Sequence, residues 1–127
     1  MITSATVTST SLAVPVKVFT SSTTGAPIAG AVVGQTNAIT TMILCNTGTV
    51  NITDESINTV NVSIFLVKNG DTADTDNQVV NSLTIPAGET VFFSDEKIIL
   101  DSGDTVWVSS DDATGSLVTI TVSTLPV

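Results

Sequence analysis

Residues 83–108 limit what this chain can fold into more than any other stretch. They read Leu-Thr-Ile-Pro-Ala-Gly-Glu-Thr-Val-Phe-Phe, then Ser-Asp-Glu-Lys, then Ile-Ile-Leu-Asp-Ser-Gly-Asp-Thr-Val-Trp-Val. Three short runs rich in β-branched and aromatic residues are cut apart by turn chemistry. Pro86-Ala87-Gly88-Glu89 is expected to place proline at a turn's second position and glycine at its third, the arrangement a type II turn favours. Ser94-Asp95-Glu96 breaks the next pair of runs, and Asp101-Ser102-Gly103-Asp104 makes another turn before Trp107. Short strands with closely spaced turns predict an all-β domain.

The rest of the chain repeats this pattern. Strands are predicted at residues 12–19, 37–46, 59–68, 78–85, 89–94, 97–100, 105–109 and 117–124, with a further short one at 31–33. Residues 50–57 could extend a strand, but Asp54-Glu55 interrupts them. Pro15 has no N–H to give a ladder, so its strand should sit at an edge or start a sheet. Val60, Val62, Ile64 and Leu66 form an inward face. So do Val106 with Val108, and Val118 with Ile120 and Val122, by the two-residue alternation of strands. Met42, Ile43, Leu44 and Cys45 are apolar on both faces, the mark of a central strand covered on both sides. No apolar spacing of three and four residues persists long enough for a helix. The expectation is one antiparallel β-sandwich, jelly-roll or immunoglobulin-like, of about seven to nine strands over residues 12–127. Residues 1–11, nearly all Ser, Thr and small apolar types, read as an N-terminal arm or tail.

Charge narrows the function. The 127 residues carry 12 acids and three lysines, for a net charge of −9, and no arginine, histidine or tyrosine. Such a chain repels phosphate, which speaks against nucleic acid and against an anionic membrane surface as partners. No apolar run approaches the roughly 20 residues of a membrane span, and residues 1–6 have no basic leader pattern. Synthesis in a cytoplasm is the expectation. Sparse charge with abundant Thr and Val suits strands packed into an assembly, since interface centres are depleted of charge.

Chemistry-bearing constellations are few. Without histidine there is no Ser-His-Asp triad and no Cys-His pair. Cys45 lies among Met42, Ile43 and Leu44 and reads as an inert core thiol. Glu55, Glu89 and Glu96 are available for a carboxylate pair, but a sugar-cleaving site also wants aromatic platforms and a cleft. Asp71, Asp74 and Asp76 recur in an acidic loop whose spacing is not that of an EF-hand. A solvated loop is the expectation there, and calcium would require the three to converge. Asp101, Asp104, Asp111 and Asp112 form a second acidic group at turns. No cofactor is expected. Asn51-Ile52-Thr53 and Asn61-Val62-Ser63 match the glycosylation sequon by chance. Lys17, Lys68 or Lys97 could join an asparagine as an isopeptide in a buried pocket beside an acid. Phe92 and Phe93, adjacent in a strand, point to opposite faces. Phe65, Val67, Trp107 and Phe92 are the candidate interface residues, with Trp107 and a phenylalanine as the less favoured basis for a sugar platform.

Three segments carry a resemblance. They are Ile39-Thr40-Thr41-Met42-Ile43-Leu44-Cys45-Asn46-Thr47-Gly48, Leu83-Thr84-Ile85-Pro86-Ala87-Gly88-Glu89-Thr90, and Asp95 through Leu100-Asp101-Ser102-Gly103-Asp104-Thr105-Val106-Trp107-Val108. Together with the strand at 62–66 they resemble small β-sandwich virion proteins of tailed bacteriophages, cyanophages among them, over residues 39–122. The resemblance implies a non-enzymatic structural protein without catalytic residues. The leading expectation is a capsid decoration, or cement, protein on the outer shell, a homotrimer bound to other virion proteins such as the major capsid protein. A neck, baseplate or fibre-attachment component is the alternative within that class. A carbohydrate- or host-surface-binding module is the alternative outside it.

Overall fold

The computed structural model describes residues 2–21, 36–95 and 97–126. The strand predicted at 31–33 lies outside them. Nine strands run in chain order: β1 (Ile2–Thr6), β2 (Val16–Thr20), β3 (Asn37–Asn46), β4 (Val60–Val67), β5 (Gln78–Ile85), β6 (Thr90–Phe93), β7 (Ile98–Leu100), β8 (Thr105–Ser110) and β9 (Val118–Pro126). All pairings are antiparallel, and no helix occurs among the described residues. One sheet has the order β1-β9-β3-β6, with β7 on the same side of β3 as an interrupted continuation of β6; the other has the order β2-β8-β4-β5.

This order is a hairpin rolled up on itself. The β4–β5 hairpin is the bend; outward from it β3 meets β6 and β7, β2 meets β8, and β1 meets β9. Successive pairs of the rolled hairpin then fall in alternate sheets, which is the jelly-roll arrangement. Between the sheets lies one apolar core, including Phe19, Ile39, Leu44, Val62, Ile64, Val106, Val108, Ile120 and Val122. The inward faces expected for β4, β8 and β9 are those observed, with Leu66 packed at the rim of the core.

Local chemistry sets the strand ends. Glu89 N–H donates to Pro86 O at 3.1 Å, so Pro86 is the first residue of the turn and not the second as expected, while Gly88 is third as expected and takes φ +76°. Asp104 N–H closes the turn on Asp101 O at 3.0 Å with Gly103 at φ +90°. A Cβ on Gly103 would come within 2.5 Å of Asn69, so only glycine fits. β2 starts later than expected, at Val16, because Val14 N–H turns back to Ser11 O at 3.0 Å. It lies at a sheet edge, as Pro15 requires. Residues 50–57 form turns, not a strand.

The N-terminal expectation is corrected. Ile2–Thr6 is not an arm but the edge strand β1, in unbroken register with β9 from Ile2↔Ser123 to Thr6↔Thr119. Val7 N–H donates to Val118 O at 2.8 Å, and the Val7 side chain is fully buried in the core. The inward residues Thr3, Ala5 and Val7 are small, which is why the segment shows little alternation of hydropathy.

The outward face of the β2-β8-β4-β5 sheet is largely covered: Ser63, Phe65, Val67 and Ser109 are all buried. Ser63 Oγ there accepts from Ser82 N–H at 3.0 Å, where β5 bulges. The Ser109 hydroxyl is fully buried without a hydrogen-bond partner. A buried hydroxyl that bonds nothing costs stability. Ser109→Ala is therefore expected to raise the unfolding free energy by about 1 kcal/mol, checked by urea denaturation.

Candidate interaction face

Charge is segregated by the fold. None of the 11 acids among the described residues lies in a strand, and Lys17 in β2 is the single charged residue of the nine strands. The acids sit in the connections. Asp54, Glu55, Glu89, Asp111 and Asp112 gather at one end of the sandwich, where Asn46 N–H donates to Glu89 O and Thr47 N–H to Leu117 O. Asp71, Asp74, Asp76, Asp101 and Asp104 gather at the other, where Ser21 N–H donates to Asp104 O. Two acidic ends flank a largely neutral middle, with Asp95 and Lys97 at its edge in the break between β6 and β7.

The outward face of the β1-β9-β3-β6 sheet is that neutral middle laid open. Register places its side chains in rows across the strands. One row is Thr6, Thr119, Cys45 and Thr90; the next is Ser4, Thr121, Ile43 and Phe92. A third holds Ile2, Ser123 and Thr41, and a fourth Leu125, Ala38 and Ile99. The β1/β9 half is a hydroxyl surface, with Ser4 Oγ and Thr121 Oγ1 sharing a hydrogen bond at 3.0 Å. The face turns apolar over β3, β6 and β7 and at the Ile2/Leu125 end of β1 and β9: Phe92 is 63% exposed, Ile99 56%, Leu125 57% and Ile2 72%. These are large exposures for such residues, and they share one face of one sheet. A protein seated here removes no charge from water, the step that makes buried ion pairs costly.

The interface candidates read from sequence divide. Phe92 stands on this open face. Phe65 and Val67 are covered within the chain and are not free to meet a partner. Trp107 is half-buried in the opposite sheet, cross-strand from Phe65 and Lys17, with its Nε1–H donated to Thr105 Oγ1 at 2.8 Å. Phe92 and Phe93 do point to opposite faces, Phe93 toward the core. Trp107 and Phe92 therefore lie in different sheets and cannot form one stacking platform. Cys45 is also corrected: it is a free, half-exposed thiol on the open face, not core. Strand β3 is central, yet its Ile43/Cys45 side has no covering layer among the described residues.

The acidic loops border two hollows. Asp71, Asp74 and Asp76 line one hollow of about 530 Å3 with Lys68 and Asn77. No group of three or more potential ligands that could hold an ion forms among the described residues. Asp74 is used locally: its Oδ1 accepts from Asp76 N–H at 2.9 Å, and its own N–H donates to Asn77 Oδ1 at 3.0 Å. Glu55 and Glu89 line another hollow, about 500 Å3, with Val50, Ile57, Pro86 and Ala87, and no aromatic platform among its lining residues. Glu96 lies outside the described residues. All three lysines are exposed, so none has the buried setting an isopeptide needs.

Two polar residues matter more than sequence reasoning allowed. Asp112 is 5% exposed. Burial pushes its carboxyl up, but N–H donors from Leu117, Thr114 and Ser116 and the Thr114 hydroxyl outweigh that and hold it below the ordinary 3.8. Asp54, fully exposed, is lowered by the Ser56 hydroxyl and N–H. Asn46 is fully buried; its Nδ2 donates to Asn58 O at 2.7 Å and Ile85 O at 2.9 Å, and its Oδ1 accepts from Gly48 N–H at 2.9 Å. The Asn-x-Gly ending of β3 is thus a staple joining three segments. No family model, no curated protein and no solved structure matches this chain.

Proposed function

We propose that this chain is a non-enzymatic structural protein of a tailed-phage virion, seated on the outer capsid as a decoration protein. The observation that carries the proposal is the uncharged, partly apolar outward face of the β1-β9-β3-β6 sheet, on a chain whose acids are confined to the loops. That face is the seat on the shell, with the major capsid protein as partner. It combines exposed aromatic and aliphatic side chains with absent charge, the composition of an interface centre. The acidic ends point the protein away from packaged DNA and toward the exterior. The resemblance of residues 39–122 to small phage β-sandwich proteins supports the same class.

The test has two parts. Quantitative mass spectrometry of purified virions gives the copy number against the major capsid protein. A comparable number fits a shell-wide decoration. A handful of copies moves the protein to neck, baseplate or fibre, and its absence from virions defeats the proposal. The second part is Phe92→Asp. Phe92 is mostly exposed, so the fold loses little, while binding to particles is expected to weaken at least tenfold, as for a central interface aromatic. Unchanged binding would move the seat elsewhere on the molecule.

A further inference from the structure

The four outer edges of the two sheets are not alike. An open strand edge invites pairing with another chain, and proteins guard such edges with charge, proline, bulges or interruptions. The β2 edge has Pro15 before it, Lys17 within it and a bulge between Lys17 and Phe19. The β5 edge has two register breaks and Ser82 at φ +52°. The β6/β7 edge is interrupted by residues 94–97, which include Asp95 and Lys97. β1 has none of these. Its sequence, Ile-Thr-Ser-Ala-Thr, is uncharged and free of proline, its register with β9 is unbroken, and β9 is its single neighbour among the described residues.

The backbone groups on that edge follow from one hydrogen bond. Val7 N–H points at β9, donating to Val118 O. Peptide groups alternate sides along a strand, so Thr3 and Ala5 also face β9. The N–H and C=O groups of Ile2, Ser4 and Thr6 then face outward. The 3.0 Å contact between the Ser4 and Thr121 hydroxyls agrees, since side chains come closest at pairs that do not exchange backbone bonds.

We infer that the β1 edge joins two copies of this chain, β1 against β1 of the second copy, antiparallel about a two-fold axis through Ser4. The outward groups are symmetric about Ser4. Ser4 meets Ser4 of the second copy, Ile2 meets Thr6, and six backbone hydrogen bonds form with no group left over. Charge selects this approach as well. Two chains of net charge −9 repel at their acidic ends, whereas β1 brings no carboxylate to the contact. The result is one continuous sheet running from β3 and β9 of one copy through both β1 strands to β9 and β3 of the other. Its neutral outward face is twice as wide. This two-fold contact differs from the three-fold assembly expected of a decoration protein, and it does not depend on the chain belonging to a virion.

The test is made on the purified chain without particles. Light scattering and sedimentation are expected to show a reversible dimer. Ser4→Pro deletes an outward N–H and leaves the donors that face β9, at Thr3, Ala5 and Val7, in place. It is expected to weaken the dimer at least tenfold while the far-ultraviolet spectrum and Tm remain those of a folded β protein. Should Ser4→Pro fail to fold, Ser4→Cys in a Cys45→Ser background decides. Paired Cα atoms in such a ladder stand about 5.5 Å apart, within disulfide range, and mild oxidation is expected to crosslink the two copies. Three results each overturn the inference: a monomeric mass up to about 1 mM, an oligomer indifferent to a folded Ser4→Pro, or a Ser4→Cys variant that does not crosslink.

Discussion

Asp112→Ala is expected to lower the unfolding free energy by about 3 kcal/mol and Tm by roughly 10 °C. The carboxylate organises the whole β8–β9 connection. Oδ1 accepts from Thr114 N–H at 3.0 Å and the Thr114 hydroxyl at 2.8 Å, and Oδ2 from Ser116 N–H at 2.9 Å and Leu117 N–H at 2.8 Å. Bonds to a charged acceptor are stronger than neutral ones, and alanine would leave N–H donors in a part-buried loop without an acceptor. Asp112→Asn separates charge from shape. Its oxygen still serves one pair of donors, but its NH2 meets the other pair, so a smaller loss is expected. The pH dependence has a definite sign. The folded carboxyl is held below its ordinary value, so its contribution is complete above about pH 4 and is lost as pH falls through the lower folded value. The gap between wild type and Asp112→Ala, measured by thermal unfolding, should be wide at pH 7 and narrow toward pH 2.

Asn46→Asp is expected to cost about 4 kcal/mol at pH 7, although it replaces a single NH2 by oxygen. In the wild type that NH2 feeds two carbonyls, Asn58 O and Ile85 O, from a fully buried position. An ionised carboxylate would set an oxygen against both, and a protonated one could serve only one. Burial, with two carbonyls facing one oxygen and a single donor, Gly48 N–H, on the other, would raise the new acid's pKa in the folded state. A raised carboxyl gives its stability at low pH and loses it as pH rises toward the folded value, so this variant's deficit should deepen from pH 4 to pH 7. That trend runs opposite to Asp112→Ala. Urea denaturation at the two pH values reads both.

The strands were legible because β-branched alternation and turn residues agree, as at residues 83–108, where the turns at 86–89 and 101–104 carry glycine at the position that needs positive φ. The N-terminal strand was not. Thr3 and Ala5 face inward at an edge, where small residues suffice, so the segment has almost no alternation to read. Cys45 was placed in the core because Ile43 and Cys45 make β3 apolar on both sides; sequence does not say that one side lacks a covering layer. The interface candidates show the same limit. Phe65, Val67, Trp107 and Phe92 are alike as sequence, and sheet membership alone separates the covered from the open. Asp112 and Asn46 did leave a signal. Asp-x-Thr and Asn-x-Gly are patterns whose side chains bond the backbone two residues on, and both do so here. Their burial was the part that sequence left unsaid.

Rolling the hairpin up from its middle has a consequence for synthesis. The strand made first, β1, pairs with β9, and β2 pairs with β8, so the early strands emerge from the ribosome long before their neighbours exist. β9 stands between β1 and β3, so one whole sheet stays divided until Val118–Pro126 is out. Closing such distant pairs is slow. A nascent chain in which β9 has not yet emerged would hold β1 and β3 with adjoining flanks unpaired, and β9 acts as the key that locks an otherwise aggregation-prone intermediate.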